Sequence, residues 1–257
     1  MGAAENCGVK WGLAILAFTA YAVWQLGLPL RGLGPGVVKL FGIAGQMLPP
    51  ESGGQLGVFV YGLVETVAMA LAATVMAGIA AFPLGLLGAG RVVPSLFARW
   101  PLRRGMDVAR SIDSLLWALL FVNAVGLGPF AGVMALTMID LGTLAKLLSE
   151  TVDHASIGPV EGLEAAGANR WESVRFGILP QVLPAYTSQV LYYFESNIRH
   201  ATILGIVGAG GIGTHLSDRL RVNDWREVAT LVLLILMTVT VVDRCSRWAR
   251  LRLERGV

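Results

Sequence analysis

The protein has 257 residues, of which 55% are hydrophobic and only 14% are charged, and its mean hydropathy is +0.65. Soluble domains carry about 25% charged residues, so this chain has too few charges to cover a soluble globule of its size. The composition therefore predicts a membrane protein. The net charge of +3 does not indicate a nucleic-acid partner, because the basic residues lie between apolar runs rather than on one polar module.

Apolar runs predict about six transmembrane helices, since a bilayer core of ~30 Å needs ~20 apolar helical residues. The runs are residues 11–30, 57–87, 108–125, 131–149, 185–207 and 228–245. The first is longer than a signal-peptide core and no A-x-A-like cleavage site follows it, so an uncleaved helix is predicted. The fold class is therefore all-α and polytopic. Residues 1–56 are predicted to form an N-terminal helix and interfacial segment, and residues 57–257 the membrane core.

The second run is too long for one upright span. Its first third, up to Glu65, is expected to lie at the membrane interface, and Glu65 is expected to cap the N-terminus of the membrane helix that follows.

Basic residues set the predicted orientation. The loop after the second run contains four arginines and no acidic residue before Asp107, and the C-terminal tail contains five more arginines. The positive-inside rule places both on the cytoplasmic side, and six spans then put both chain termini there. Cys7 and Cys245 would both face the reducing cytoplasm, so no disulfide is expected.

The stretch "ILGIVGAGGIG" at residues 203–213 contains the pattern G-x-G-x-x-G. A dinucleotide-binding turn needs a strand before it and a helix and second strand after it, whereas these glycines end one apolar span and precede another. We therefore predict a tight external turn in which glycine permits positive φ angles or close helix packing. The residues concerned are Gly208, Gly210, Gly211 and Gly213.

Residues 153–184, called the loop segment below, are polar enough to leave the membrane and are predicted to be cytoplasmic. Pro159 suits the first turn of a helix that Ser156 or Asp153 would cap and Gly167 would end. Asn169 and Glu172 form a capping-box pattern for a second helix. Pro180 and Pro184 are expected to close the segment.

This segment resembles the EAA loop of ABC-importer permeases, whose pattern is E-A-A, three residues, G, nine residues and I-x-L-P. The residues that align with the pattern are Glu161, Gly162, Leu163, Gly167, Leu179 and Pro180, with Ala168 beside the glycine. Gly162 and Leu163 replace the two alanines, and Gly177 stands where isoleucine is usual. The literal "EAA" at residues 164–166 is out of register.

Three further stretches, "GILPQVLP", "YYFESNIRHATILGIVGAGGIG" and "WALLFVNAVGLGPFAGV", closely resemble the permease subunit of phosphonate-type ABC importers, which also serve phosphite and hypophosphite. The resemblance covers the chain from about residue 65 to the last span. It implies the type I importer permease fold. His200 and Asp113 depart from it, since a small residue and a proline are usual at these positions.

The resemblance implies a transmembrane channel in the bacterial inner membrane, built from two copies of the permease as a homodimer. Two ATPase subunits would bind ATP and Mg²⁺, and an extracytoplasmic binding protein would deliver the anion. This chain contains no G-x-x-x-x-G-K-[ST] motif, so the energy is expected to come from the partner. Val160 and Leu163 are expected to insert into a groove on the ATPase, although an ordinary interfacial helix pair is the alternative.

Ionisable residues inside membrane spans are hypotheses for function by default. Glu195 and Arg199 are spaced as a helical ion pair in the fifth run, and Arg199 is predicted to lie in the outer half of the bilayer. The guanidinium suits a phosphorus oxyanion, whereas a pair that only neutralises itself is equally consistent with the sequence. The other candidates for the substrate path are Asp140, Asn123 and Asn197. For Asp140 and Asn123, hydrogen bonding between helices is the commoner role.

The histidines are too scattered to predict a metal site, and no nucleophile–base pair indicates catalysis in this chain. An importer for methionine or another small solute remains an alternative within the same class. A secondary transporter would need broken helices in matching repeats, and a membrane enzyme would need converging titratable groups. The sequence supports these last two less well.

Overall fold

The structure is a computed structural model that describes residues 2–27 and 30–255. The described residues are 84% helical and include no strand. The helices are α1 (Gly2–Gln25), α2 (Leu30–Gln46), α3 (Leu56–Gly88), α4 (Leu96–Ser111), α5 (Ser114–Val125), α6 (Pro129–Asp153), α7 (Gly158–Ala165), α8 (Arg170–Glu172), a π-helical turn (Ser173–Ile178), α9 (Leu179–Ile206), α10 (Ile212–Arg221) and α11 (Trp225–Arg255). The all-α prediction is confirmed.

The chain forms two compact units, which meet in sequence between Pro49 and Pro50. The first unit contains α1 and α2, and the second contains α3 to α11. The helix α2 follows the first predicted span and was not expected. The predicted domain boundary after residue 56 lies slightly further along the chain and stays a prediction.

In the described part of the chain, α3, α6 and α11 are long and apolar enough to cross a membrane, and α4 with α5 could form a fourth, bent span. The fifth predicted span corresponds to α9, which has 28 residues but is too polar to meet the same criterion. A polytopic helical protein is therefore confirmed, and the number of six spans stays a prediction.

The helix α6 is the centre of the second unit and packs against α3, α4, α5 and α9. Small residues allow the closest approaches. A Cβ atom added to Gly85 of α3 would lie 2.8 Å from the carbonyl oxygen of Ala145, and one added to Gly142 of α6 would lie 2.9 Å from the Cβ of Ala109. Lipid gives little hydrophobic drive for helix association, so close packing at small residues is a main source of stability here.

The first third of the second predicted span belongs to one long helix and is not a separate interfacial segment. The helix α3 is continuous for 33 residues, or about 50 Å, and Glu65 lies in its interior. Phe59 and Leu63 are buried in a cluster with Ile212 and Leu231. The expected helix start at Glu65 is therefore wrong, because the first two turns pack into the bundle.

The third predicted span is not one straight helix. The chain bends by 90° between α4 and α5. Asp113 causes the new start, since its Oδ1 accepts a hydrogen bond from the backbone N–H of Leu115 at 2.8 Å and caps α5. A hydropathy run does not show this break, because the long apolar stretch after Asp113 dominates the average over residues 108–125.

The glycine turn after α9 has the predicted conformation. Gly208, Gly210 and Gly211 have φ angles of 89°, 86° and 74°. A Cβ atom on Gly213 would lie 2.0 Å from the carbonyl oxygen of Thr202, so the start of α10 contacts α9 through backbone atoms. Because a helix and not a strand precedes the glycines, the structure supports the rejection of a dinucleotide-binding turn.

Two polar side chains of α3 hold the glycine turn. The carboxylate of Glu65 accepts a hydrogen bond from the backbone N–H of Gly211 at 3.1 Å, and the hydroxyl of Thr66 accepts one from Ile212 at 2.8 Å. These bonds satisfy two backbone N–H groups at the start of α10, where the first N–H groups have no partner within their own helix. Glu65 therefore caps the start of α10 and not that of its own helix.

Candidate functional site

The loop segment contains two helices joined by a sharp turn, as predicted. Gly167 has a φ angle of 89° at the end of α7. Asn169 Oδ1 accepts the backbone N–H of Glu172 at 3.0 Å, and Glu172 Oε2 accepts the N–H of Asn169 at 2.7 Å, which confirms the capping box. The predicted caps of the first helix are wrong, because α7 begins after Ile157 and no side chain of the described residues caps it.

The prolines do not close the loop segment. Pro180 lies where the π-helical turn passes into α9, and Pro184 lies inside α9. The π-helical turn leads directly into α9. The loop segment and the fifth predicted span are therefore one continuous helical element from Arg170 onwards.

The apolar side of α7 faces its own chain. A Cβ atom on Gly177 would lie 3.2 Å from both Val160 Cγ2 and Leu163 Cδ1, so these side chains pack on the π-helical turn. Both side chains are only partly buried, so their predicted insertion into a partner stays a prediction. Gly177, which departs from the usual isoleucine, supplies the space for that packing.

Other apolar side chains of the loop segment are exposed. Trp171 is 74% exposed, and Phe176 and Ile157 are also exposed. Glu161 and Gly162 lie on the exposed side of α7. Sequence reasoning missed the two aromatic residues, although large aromatic side chains in a short polar loop are a signal of a binding surface.

A carboxylate at the start of the loop segment links three helices. Asp153, at the end of α6, accepts hydrogen bonds from the backbone N–H of Gly90 at 2.7 Å and from Arg103 Nη2 at 2.5 Å. Arg103 also donates from Nε to the carbonyl oxygen of Gly88 at 2.8 Å, at the end of α3. Asp153 is therefore a link between α3, α4 and α6 and not the helix cap that the sequence suggested.

Three polar residues meet inside the bundle. Asn197 of α9 donates from Nδ2 to Asp140 Oδ2 of α6 at 2.5 Å and to Thr74 Oγ1 of α3 at 2.8 Å. All three side chains are buried, and Asn197 Oδ1 has no hydrogen-bond partner among the described residues. This geometry fits hydrogen bonding between helices, which was the alternative for Asp140.

Glu195 pairs with two arginines. Its Oε1 lies 3.1 Å from Arg199 Nη1 on the same helix, and its Oε2 lies 3.3 Å from Arg250 Nη2 on α11. The pairing with Arg250 was not expected, because the sequence placed the C-terminal tail outside the membrane. The Arg199 side chain is 43% exposed, whereas that of Glu195 is almost fully buried.

The structure does not bring Asn123 to the other candidates. Asn123 is exposed near the end of α5, and its Nδ2 donates to the carbonyl oxygen of Leu119 at 2.7 Å in the same helix. The candidates for a substrate path thus separate into a buried group around Asn197, an exposed guanidinium at Arg199, and an isolated amide at Asn123.

Residues 81–257 match the family described as the binding-protein-dependent transport system inner membrane component. The chain belongs to this family. It is accordingly a multi-pass permease of the inner membrane, which is the coarser part of the predicted localisation.

The permease is similar to two curated proteins over most of its length. It is 34% identical to the phosphite transport system permease protein PtxC of Stutzerimonas stutzeri, over 93% of this chain and 85% of PtxC. It is 36% identical to the phosphate-import permease protein PhnE of Mycolicibacterium smegmatis, over 96% of this chain. The permease spans 45% of the length of PhnE.

The fold is similar to that of a solved ABC transporter permease. The permease matches a chain of the inward-facing MetNI methionine ABC transporter, CY5 native crystal form, with a TM-score of 0.70 and 19% identity. The match covers 79% of this permease and 99% of that chain. At this identity the similarity supports the type I importer fold alone.

Proposed function

We propose that this permease is the transmembrane channel of an ATP-driven importer that moves a phosphorus oxyanion, such as phosphonate, phosphite or hypophosphite, into the cytoplasm. The observation that carries the proposal is the similarity to PtxC over 93% of the chain. The ligand enters through two copies of the permease, arranged as a homodimer. An extracytoplasmic binding protein delivers it.

Energy comes from two ATPase subunits that bind the ATP and Mg²⁺. They dock on the exposed side of the loop segment, where Trp171, Phe176 and Ile157 provide an apolar surface. Glu161 and Gly162 lie on the same segment. This placement requires the loop segment to be cytoplasmic, and the arginine-rich loops support that orientation with both termini inside.

The contacts around Asp153 give the docking surface a route to the channel. A push on the loop segment moves α6 and α9, which are continuous with it, and also α3 and α4 through Arg103 and Asp153. Rigid helices that move together can change which side of the membrane the channel opens to. Alternating access therefore follows from movement of packed helices.

Arg199 is the proposed contact for the anion. The cluster of Glu195, Arg199 and Arg250 has one negative and two positive charges, so it has an excess of one positive charge. Because Arg250 holds Glu195 on the other side, the exposed guanidinium of Arg199 can form a bidentate contact with an oxyanion. A phosphorus oxyanion supplies the missing negative charge.

A methionine importer is the second candidate, since the fold resembles the MetNI permease with a TM-score of 0.70. The test is ATP hydrolysis by the complete complex in proteoliposomes, with the binding protein present. Phosphite or methylphosphonate is expected to stimulate hydrolysis and accumulate inside, and methionine is expected to do neither. Stimulation by methionine alone would contradict the proposal.

A further inference from the structure

Three cationic side chains converge on one carboxylate between α4 and α6. The distances to the Asp107 carboxylate are 3.8 Å from Arg104 Nη1, 3.4 Å from Arg110 Nε and 3.2 Å from Lys146 Nζ. The four residues are called the basic cluster below. Sequence reasoning did not select any of them as a site.

The basic cluster has more positive charge than it can neutralise. Three cations share a single carboxylate. The side chains of Arg104 and Arg110 are 65% and 45% exposed, whereas that of Lys146 is only 15% exposed. A largely buried ammonium group needs a compensating charge, and Lys146 shares its carboxylate with the two arginines. The nearest further acid that lines the same space is Glu150, and it still leaves one positive charge in excess.

A cavity of about 730 Å³ lies beside the cluster. Besides the basic cluster and Glu150, Ser111 and Thr143 line it. This volume is large for a single ion pair and holds a small hydrated anion. Lys146 lies two helical turns before Asp153, so the cavity is at the end of the bundle near the loop segment.

We propose that the basic cluster is a second anion site, which binds the tetrahedral oxyanion group of a phosphorus compound at the loop-segment end of the channel. This site is separate from Arg199. The proposal rests on the proposed function, because the transported ligand is the compound that provides the oxyanion group. Two guanidinium groups and an ammonium group provide donors that suit phosphoryl oxygens.

Asp107 limits how tightly this site binds an anion. Its carboxylate holds the three cations in place and also competes with an incoming anion for them. A transport site must bind strongly enough to be entered and weakly enough to be left. Asp107 therefore limits the affinity, so that the anion can be released.

The phosphoryl group could belong to the free ligand, whose oxygens suit guanidinium donors, or to a phospholipid headgroup, which basic pockets between membrane helices bind. The binding experiment has two arms. In the first, equilibrium dialysis measures the affinity of the assembled, detergent-solubilised transporter for radiolabelled methylphosphonate without the binding protein. In the second, native mass spectrometry counts retained phosphatidylglycerol against phosphatidylcholine.

Lys146→Gln is expected to weaken binding in one of the two arms by roughly tenfold or more, since it removes a charge-assisted hydrogen bond. Lys146→Arg is expected to restore most of the affinity. Asp107→Asn is expected to tighten binding several-fold, because the competing negative charge is lost. Arg247→Gln is the matched control, since Arg247 pairs with Asp243 on α11 outside the cluster.

Tighter anion binding by the Asp107→Asn variant is the result expected of an anion site. In a purely structural ion cluster the same change would only loosen the fold. If Lys146→Gln loses methylphosphonate binding, the site binds the free anion. If it loses only phosphatidylglycerol binding, the site binds a lipid headgroup. Unchanged binding in both arms overturns the proposal. If the wild type fails to import phosphorus oxyanions but Lys146→Gln still loses binding, the proposed function fails and the site stands.

Discussion

Val160 of α7 packs against Gly177 of the π-helical turn, and this contact fixes the position of α7 on its own chain. A Cβ atom at residue 177 would lie 3.2 Å from Val160 Cγ2 and 3.4 Å from its Cα. The loop segment therefore forms a compact unit before any partner binds. The exposed side of the loop segment therefore lies on two helical elements, α7 and the π-helical turn, that already pack against each other.

Gly177→Leu is expected to displace α7, because a large side chain cannot fit against Val160 and Leu163. Overpacking of this kind costs about 1–3 kcal/mol. We expect ATP hydrolysis to persist while uptake per ATP falls severalfold, as measured in proteoliposomes. Gly177→Ala is the control, since a single methyl group needs a shift of only a few tenths of an ångström. Full coupling in Gly177→Leu would contradict this account.

Gly167→Val is expected to prevent the turn between α7 and α8, since Gly167 has a φ angle of 89° and β-branched residues rarely adopt it. The variant should insert into the membrane at normal levels and lose most of its uptake. Gly162→Ala is the matched control, because Gly162 is helical and has open space around its Cα. Equal loss in both variants would show that α7 tolerates no change, and would remove the argument for the turn.

Arg199→Gln and Arg250→Gln are expected to affect transport differently. The first removes the proposed anion contact and should lower uptake tenfold or more in an assembled complex. The second leaves Arg199 as the one cationic partner of Glu195 among the described residues, so the anion competes with a stronger pair and the KM for uptake should rise. Uptake kinetics in cells with equal amounts of complex provide the measurement. Normal uptake in Arg199→Gln would favour a pair that only neutralises itself.

Asn197→Ala is expected to destabilise the bundle, since it leaves Asp140 without its hydrogen-bond donor in a buried position. Hydrogen bonds between membrane helices contribute about 0.6–2 kcal/mol, and an unpaired buried carboxyl group adds to the loss. Asp140→Ala combined with Asn197→Ala should therefore cost less than the sum of the single changes. Thermal unfolding in detergent tests this double-mutant cycle. Strictly additive losses would show that the two residues are not coupled.

Much of the fold could be predicted from the sequence because its signals are local. Hydropathy gave the membrane class, and the φ requirement of Gly167 and the capping box of Asn169 gave the turn in the loop segment. The break at Asp113 was missed because a hydropathy average does not respond to one capping residue. Pro180 and Pro184 were misinterpreted because proline can also lie within a continuous helix that is held by packing.

The sequence by itself determined the class of the protein, its glycine turns and the capping of its loop segment, since these depend on residues close together in the chain. The tertiary structure alone decided which polar groups meet. It joined Asn197 to Asp140 and Thr74, Glu195 to Arg250, and Lys146 to Asp107 across helices far apart in sequence. The physical reason is that the rotation of each helix about its axis sets these contacts, and that rotation is fixed by close packing at residues such as Gly85 and Gly142 and not by any local pattern.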